Sequence, residues 1–314
     1  MRVALLVLAI VSAIACSQSR PPQPLPKRAA EPAFNRLAFA GDIMLSRGVR
    51  RQILAANDPA LPFRKIAPLL AGSDIAFVNL ESPFSDRGPY HEGGLIFHAA
   101  PKTVSGLELA HIAIASTANN HSRDCGSHGV GFTVAWLRQH GIEPLGSSES
   151  AARTHRGVVL RRNGIRFGFL GYTYDQQNGN WRDIDDRIAL ADPAVVCRDV
   201  ADIRKRADVV IVSMHYGIEY RPKPSKPQIA FAHAAIDAGA TLVIGHHPHV
   251  IEPEEAYHGG FIFYSLGNFV FDQYQREATQ HGEIVQVSFV GHEILAIHIM
   301  PVRITPTGPE LELH

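Results

Sequence analysis

Three observations predict a mixed α/β fold for this chain. Short apolar runs alternate with longer amphipathic stretches from Leu37 onward. The late part of the chain holds strands without helices between them, which points to a mixed arrangement of two sheets packed together. The apolar runs end in carboxylates, carboxamides and imidazoles, where α/β folds place their chemistry. The composition is globular: 314 residues, 46% hydrophobic and 19% charged. Lys and Arg number 30, and so do Asp and Glu, so no net positive field recruits nucleic acid.

The chain opens "MRVALLVLAIVSAIACSQSR". Arg2 precedes an apolar run from Val3 to Ala15, too short to span a membrane, and residues 1–15 read as a secretory signal. "AIAC" resembles a bacterial lipoprotein cleavage box with Cys16 as the lipidated residue. The expected product is exported and lipid-anchored to the cell envelope, on its periplasmic or extracellular face. Plain secretion by cleavage near Ala15 is the other reading. Residues 17–35 are proline-rich and apolar-poor and read as an extended tether, leaving 36–314 as the folded domain.

Each later run is then justified in turn. "RLAFAGDIML" reads as a strand breaking at Gly41, "SDIAFVNLES" as one ending near Asn79, and "HIAIASTANNHS" as one ending near Asn119. "GIRFGFLGYTY" is another strand. "ADVVIVSMHYG" ends at His215 and "GATLVIGHHPHV" at His246. "GGFIFYSLGNFVFD" follows, and "GEIVQVSFVGHEILAIHIMPVRI" reads as a terminal antiparallel hairpin. "PFRKIAPLLAGS", "GVGFTVAWLRQHG" and "SKPQIAFAHAAIDAG" carry helical periodicity and end at glycine or Gly-Ser. Cys125 and Cys197 lack any ligand spacing; spacing alone leaves open whether they pair.

Six strand ends offer Asp42, Glu81, Asn120 with His121, His215 with Glu219, His246-His247-Pro248-His249, and Asn268. Asp42 and Glu81 supply anionic oxygens, Asn120 a carbonyl oxygen, and His215, His247 and His249 nitrogens. That mixture suits Mn²⁺, Zn²⁺ or Fe better than calcium, whose sites are nearly all oxygen. Six ligands exceed one tetrahedral ion, and a carboxylate can bridge, so the count favours two metals about 3.5–4 Å apart. In extended chain His247 and His249 face the same way. Singly, each residue has a structural reading: Asp42 as a cap, Asn119 and Asn120 as turn formers, His215 as a core histidine. Arg47, Arg50 and Arg51 read either as contacts to an anionic substrate or as a solvated helix face.

The ordered set "FAGDIM", "VNLESP", "STANNHS", "MHYGIEY", "IGHHPHV" and "YSLGNF" resembles the CapA family of poly-γ-glutamate capsule biosynthesis, which is similar to the calcineurin-like metallophosphoesterases. The match runs from about Leu37 to Asp272. The resemblance implies a four-layer αββα sandwich. It also implies that Asp42 and His249 hold one metal, that Asn120, His215 and His247 hold the second, and that Glu81 bridges them. By the same resemblance Asn120 and His121 are catalytic, with His121 protonating the leaving group. His246, Asn268, Glu219 and Arg47 are read as substrate contacts. Two positions depart from the phosphoesterase pattern. Met44 stands where Asp-x-His has its histidine, and a thioether is a poor ligand for such metals. Glu81 replaces an aspartate.

The first expectation is therefore a metal-dependent, phosphoesterase-type hydrolase in capsule or envelope polymer synthesis. Its partners would be an anionic polymer or a phosphoester, the membrane through the lipid anchor, and capsule-synthase membrane proteins. The alternative is a non-hydrolytic metal protein that binds or transfers the anionic polymer. A fold that binds metal without turnover is the third reading.

Overall fold

A computed structural model describes residues 34–88, 90, 93–174 and 185–312. The signal segment, Cys16 and nearly all of the tether lie outside the described residues. None of the described helices is long and apolar enough to cross a membrane.

The elements in chain order are β1 (Phe34–Ile43), α1 (Arg47–Ala56), α2 (Ala67–Ala71), β2 (Ile75–Leu80), α3 (Val104–Leu109), β3 (Ile112–Ser116), α4 (Gly126–Gln139) and β4 (Glu143–Leu145). Then come α5 (Ala151–Thr154), β5 (Val158–Arg162), β6 (Ile165–Thr173), α6 (Pro193–Ile203), β7 (Val209–His215), α7 (Lys226–Asp237) and β8 (Leu242–His246). The chain closes with β9 (Ile251–Tyr257), β10 (Gly260–Leu266), β11 (Asn268–Val270), β12 (His281–Val290), β13 (Glu293–Thr305) and β14 (Gly308–Leu311).

They form two sheets. The first has the order β14-β13-β12-β1-β2-β3-β4, with β11 beside β1; the second has the order β5-β6-β7-β8-β10-β9. Strands β1 to β4 run parallel, as do β6, β7, β8 and β10. Strands β12, β13 and β14 extend the first sheet antiparallel.

The two-residue side-chain period of a strand builds four layers. Leu37 and Phe39 of β1, Ile75 and Phe77 of β2, Val209 and Ile211 of β7, and Leu242 and Ile244 of β8 share one buried cluster between the sheets. The alternate residues Ala38, Ala40, Ala76 and Val78 pack with α1, α2, α3 and α4 on one outer face. Val210, Val212 and Val243 pack with α6 and α7 on the other. Helix α7 starts at a capping box, with Ser225 and Gln228 each bonding the other's backbone.

Two expectations change. The segment "PFRKIAPLLAGS" is not one helix but a 3₁₀ turn, Leu61–Phe63, followed by α2. Pro68 supplies no N–H and sits in the first turn of α2, so it opens a helix rather than continuing one. Strand β1 does not break at Gly41 but runs through it, with its register to β2 shifting between Phe39 and Asp42. Strict alternation would send Asp42 toward the helices beside Ala38 and Ala40; a bulge of this kind re-aims a side chain. The run "GGFIFYSLGNFVFD" ends its first strand at Gly267-Asn268 as expected, and the φ of 67° at Gly267 lets the chain leave the second sheet as β10 and enter the first as β11.

Candidate metal centre

Strands β1, β2 and β3 bring Asp42, Glu81 and Asn120 to one end of the first sheet, and β7 and β8 bring His215, His247 and His249 to the facing end of the second. The expected ligands are thus drawn from both sheets rather than from one rim. The crossover at Gly267 ties the ends together. The Asp42 amide donates to the Gly267 carbonyl at 3.1 Å. A Cβ at Gly41 would stand 2.1 Å from that carbonyl oxygen, so glycine is required for the approach.

Ligand atoms of Asp42, Glu81 and His249 lie within 4.8 Å of one another, and all three residues are buried. His249 Nδ1 is 3.4 Å from Asp42 Oδ2, and its Nε2 is 3.6 Å from Glu81 Oε1. A second group adjoins it. His215 Nε2 is 2.7 Å from Asn120 Oδ1 and 3.1 Å from His247 Nδ1. The Asn79 carboxamide joins the groups, 2.8 Å from Asp42 Oδ1 and 3.2 Å from His215 Nδ1. His247 also donates its backbone N–H to Asp42 Oδ2 at 3.2 Å.

Burial and charge set the protonation states. Burial opposes ionisation of Asp42, but bonds and charge from His246 and His249 overcome it and hold its carboxyl well below the usual range. Burial pushes Glu81 well above that range despite the pull of His249. Burial and the neighbouring His247 keep His215 neutral, and burial with His249 depresses His247 to about 3. Neutral imidazole is the ligating form. His249 is the exception: burial works against its charge, yet Glu81 and Asp42 push it up to about 9.

This donor set fits a divalent cation. Both carboxylate oxygens of Glu81 are buried with no hydrogen-bond donor. A buried carboxylate without hydrogen-bond donors costs several kcal/mol, His249 at 3.6 Å offsets only part of it, and a coordinated ion is the usual compensation. Two carboxylates, a carboxamide oxygen and three imidazoles match transition-metal chemistry. Met44 takes no part. It is buried in the core beneath α1, and its Sδ accepts the Ser46 N–H at 3.1 Å.

His121 lies at the mouth of the group; it and Asn120 are each 8% exposed while Asp42, Glu81 and His215 are sealed. Its Nε2 is 3.7 Å from Glu81 Oε1. Its Nδ1 is 2.7 Å from Asp124 Oδ2, and Phe97 stacks on the ring at 3.8 Å. Proton-bearing Nδ1 on a carboxylate leaves Nε2 with its lone pair toward the site. Sequence reading missed Asp124; its signal is an acid three residues after a histidine in a tight turn, where the Asp124 N–H bonds the His121 carbonyl at 3.0 Å. It also missed Asn79, and Tyr174 and Tyr220, whose rings stand 4.7 Å from His247 and 6.2 Å from His249.

The four expected substrate contacts separate. His246 points between the sheets, 0% exposed, its ring stacked near Phe77 and its Nδ1 3.5 Å from Asp42 Oδ1. Residues 242, 244 and 246 share one strand face, which explains its inward direction. Asn268 is buried behind His249, its Oδ1 3.0 Å from His249 Nδ1, so it orients that ring. Glu219 is exposed. Arg47 pairs with Asp272 and lies over the Phe97 ring at 4.7 Å, lining a cavity of about 330 Å³ with Tyr220 and Gln273. Cys125 and Cys197 are both free thiols.

Comparison with known proteins bears on the family and the fold. A family model described as the bacterial capsule synthesis protein PGA_cap matches residues 36–273. The capsule biosynthesis protein CapA of Bacillus anthracis is 32% identical over 283 residues, covering 87% of this chain and 68% of that protein. The PGA biosynthesis protein CapA of Bacillus subtilis is 32% identical, covering 87% and 72%. Among solved structures, a phosphatase from Mycoplasma pneumoniae superposes with a TM-score of 0.57 at 12% identity, over 87% of this chain and 94% of its own. A putative 5'-nucleotidase from Staphylococcus aureus gives 0.53 at 14% identity, over 88% and 54%. These structural likenesses speak for the fold, a calcineurin-like phosphoesterase sandwich. With its six motifs in order and a family model spanning most of its length, the chain belongs to the bacterial capsule synthesis PGA_cap family, the family of CapA.

Proposed function

We propose that this protein serves poly-γ-glutamate capsule or envelope polymer synthesis as a metal-dependent, phosphoesterase-type hydrolase, exported and lipid-anchored through Cys16. The observation that carries the hydrolase reading is Glu81, a buried carboxylate without a donor among converging oxygen and imidazole ligands. Asp42, Glu81 and His249 would hold one ion, with Asn120, His215 and His247 holding a second. Mn²⁺, Zn²⁺ or Fe suits this set, and such ions supply Lewis-acid activation of water and of a phosphoryl oxygen.

The chain's own residues supply the rest. His121 presents Nε2 at the mouth, where, with both ring nitrogens protonated and Nδ1–H held by Asp124, Nε2–H would give its proton to the leaving oxygen and return to the lone-pair form. Asp124 holds its tautomer, and Phe97 holds its plane. Asn79 and Asn268 fix Asp42, His215 and His249 in place. Arg47, paired with Asp272, lines the neighbouring cavity beside Tyr220 and would meet an anionic substrate only by exchanging that partner.

Met44 favours a second reading. With its sulfur turned to Ser46, the first ion has one nitrogen fewer than the phosphoesterase pattern. A more weakly held ion could hold polymer carboxylates without turnover. Metal content and phosphomonoesterase and phosphodiesterase turnover, measured on one preparation with His247→Ala beside it, separate the readings. Bound metal with turnover lost in the variant supports the hydrolase. Bound metal without turnover supports polymer handling, and failure to bind Mn²⁺ or Zn²⁺ overturns both.

A further inference from the structure

At the side of the sandwich, the edge strand β4 of the first sheet lies near the edge strand β5 of the second. A cavity of about 230 Å³ opens there. Four arginines from separate segments line it: Arg138 at the end of α4, Arg153 in α5, Arg156 just beyond α5, and Arg206 after α6. Among the described residues no carboxylate lines it. The chain as a whole is neutral, 30 basic against 30 acidic residues, so this concentration of one sign is local.

Among the described residues only Arg138 of the four is ion-paired, to Glu149 and, at 3.8 Å, to Glu143. Arg153 and Arg156 have no carboxylate partner among the described residues, and Arg206 donates to the Arg156 carbonyl. The positive charge of Arg156 works against that of Arg206, after burial has already lowered its pKa. Like charges gathered at one wall are unfavourable unless something anionic joins them. The floor is rigid. Ser148 and Thr154 are buried and share a 3.1 Å contact, and Thr154 Oγ1 donates to the Asp186 carbonyl at 3.1 Å.

We propose that this cavity is a second anion site, separate from the metal centre, that takes a multivalent oxyanion. The planar forks of several guanidinium groups match phosphate or a run of carboxylates, and neutral ligands gain nothing from them. None of the metal-centre residues lines it. Its wall nevertheless continues into the loop that carries Asn120 and His121, because Thr117 Oγ1 lies 2.5 Å from Ser147 Oγ. An anionic chain held here would be anchored at a fixed distance from the metal centre. The proposal stands whether or not that centre hydrolyses.

The test is calorimetric titration of the full chain at low ionic strength, with inorganic phosphate in one arm and a short γ-linked glutamate oligomer in the other. Wild type is run beside His247→Ala, which separates binding at the metal centre. The same titrations follow in both backgrounds with Arg153→Gln plus Arg156→Gln, two exposed positions, and with Arg153→Lys plus Arg156→Lys. Saturable binding is expected in the His247→Ala background. It should weaken at least about tenfold in the glutamine pair, a loss of about 1.4 kcal/mol. The lysine pair should fall between, because it keeps the charge and loses the fork. The arm that binds more tightly identifies the anion. The proposal is overturned if neither anion binds in the His247→Ala background, or if the glutamine and lysine pairs both bind as tightly as their parent.

Discussion

Both carboxylate oxygens of Glu81 are buried without a donor, and His121 stands beside them held by Asp124. Each invites a substitution. In chelated protein near pH 8, Glu81→Gln should raise Tm, because the amide brings no charge into the interior. The same variant should lose most of the rise in Tm that added Mn²⁺ produces. A chelated Glu81→Gln that melts at or below wild type would show that the carboxylate is not a burden on the fold. Asp124→Asn should leave metal content unchanged and cut turnover about 10- to 100-fold, the usual cost of losing a partner that orients a functional histidine. Because its effect runs through the His121 tautomer, the pH profile should move as well. A fall in kcat with an unshifted profile would make Asp124 merely structural. Residue types were legible in the sequence for all six candidate ligands, since each stands at the end of an apolar run. Asp124 and Asn79 were not, because their role lies in whom they touch.

At the scale of elements, β1 and the β10–β11 crossover do the positioning. Gly41 admits the Gly267 carbonyl, the adjoining bulge turns Asp42 away from the helices, and Gly267 carries the chain from one sheet to the other. Sequence periodicity found these strands but not the bulge or the change of sheet, since neither alters the apolar pattern. Helix α7 is tied to the edge strand β9 through a buried pair. Gln228 Nε2 donates to Glu252 Oε2 at 2.6 Å, and Glu252 Oε1 has no partner. Burial raises the Glu252 carboxyl from 4.5 to about 7, against the Gln228 bond. A raised folded-state pKa means that the stability held below the unfolded value of about 4.5 is lost as pH rises through about 7. Glu252→Gln should therefore melt nearly with wild type at about pH 4.5. It should melt roughly 2–4 °C above wild type at about pH 8.5, a difference of about 1–2 kcal/mol. Equal melting at both pH values would mean that Glu252 stays ionised or well solvated.

For the whole molecule, an ion at the proposed centre would also act as a clasp between the sheets. Asp42, Glu81 and Asn120 come from one sheet, and His215, His247 and His249 from the other. An ion that binds only the folded state adds about 2.7 kcal/mol at a hundred times its Kd. For a domain of this size, chelation should then lower Tm by about 4–5 °C. The loss should be restored by added metal in wild type and not in His215→Ala. No response of Tm to chelator or metal would argue against a site bound between the sheets. Phe39, Phe77 and Phe169 fill the space below, with Phe77 stacked toward Phe169 at 6.4 Å, so the clasp sits on a packed core.

The amino-acid sequence by itself determined which runs are buried, where strands end, and which ligand chemistries stand at those ends. It could do so because apolar periodicity and residue type are local properties. Only the tertiary structure decided that the ends belong to two sheets and that His246 turns inward, while the His249 ring meets the carboxylates and the His247 ring meets His215. It also decided that four distant arginines share one cavity. Those outcomes depend on strand parity, a bulge and crossover geometry, and on contacts between residues far apart in the chain, which no local pattern records.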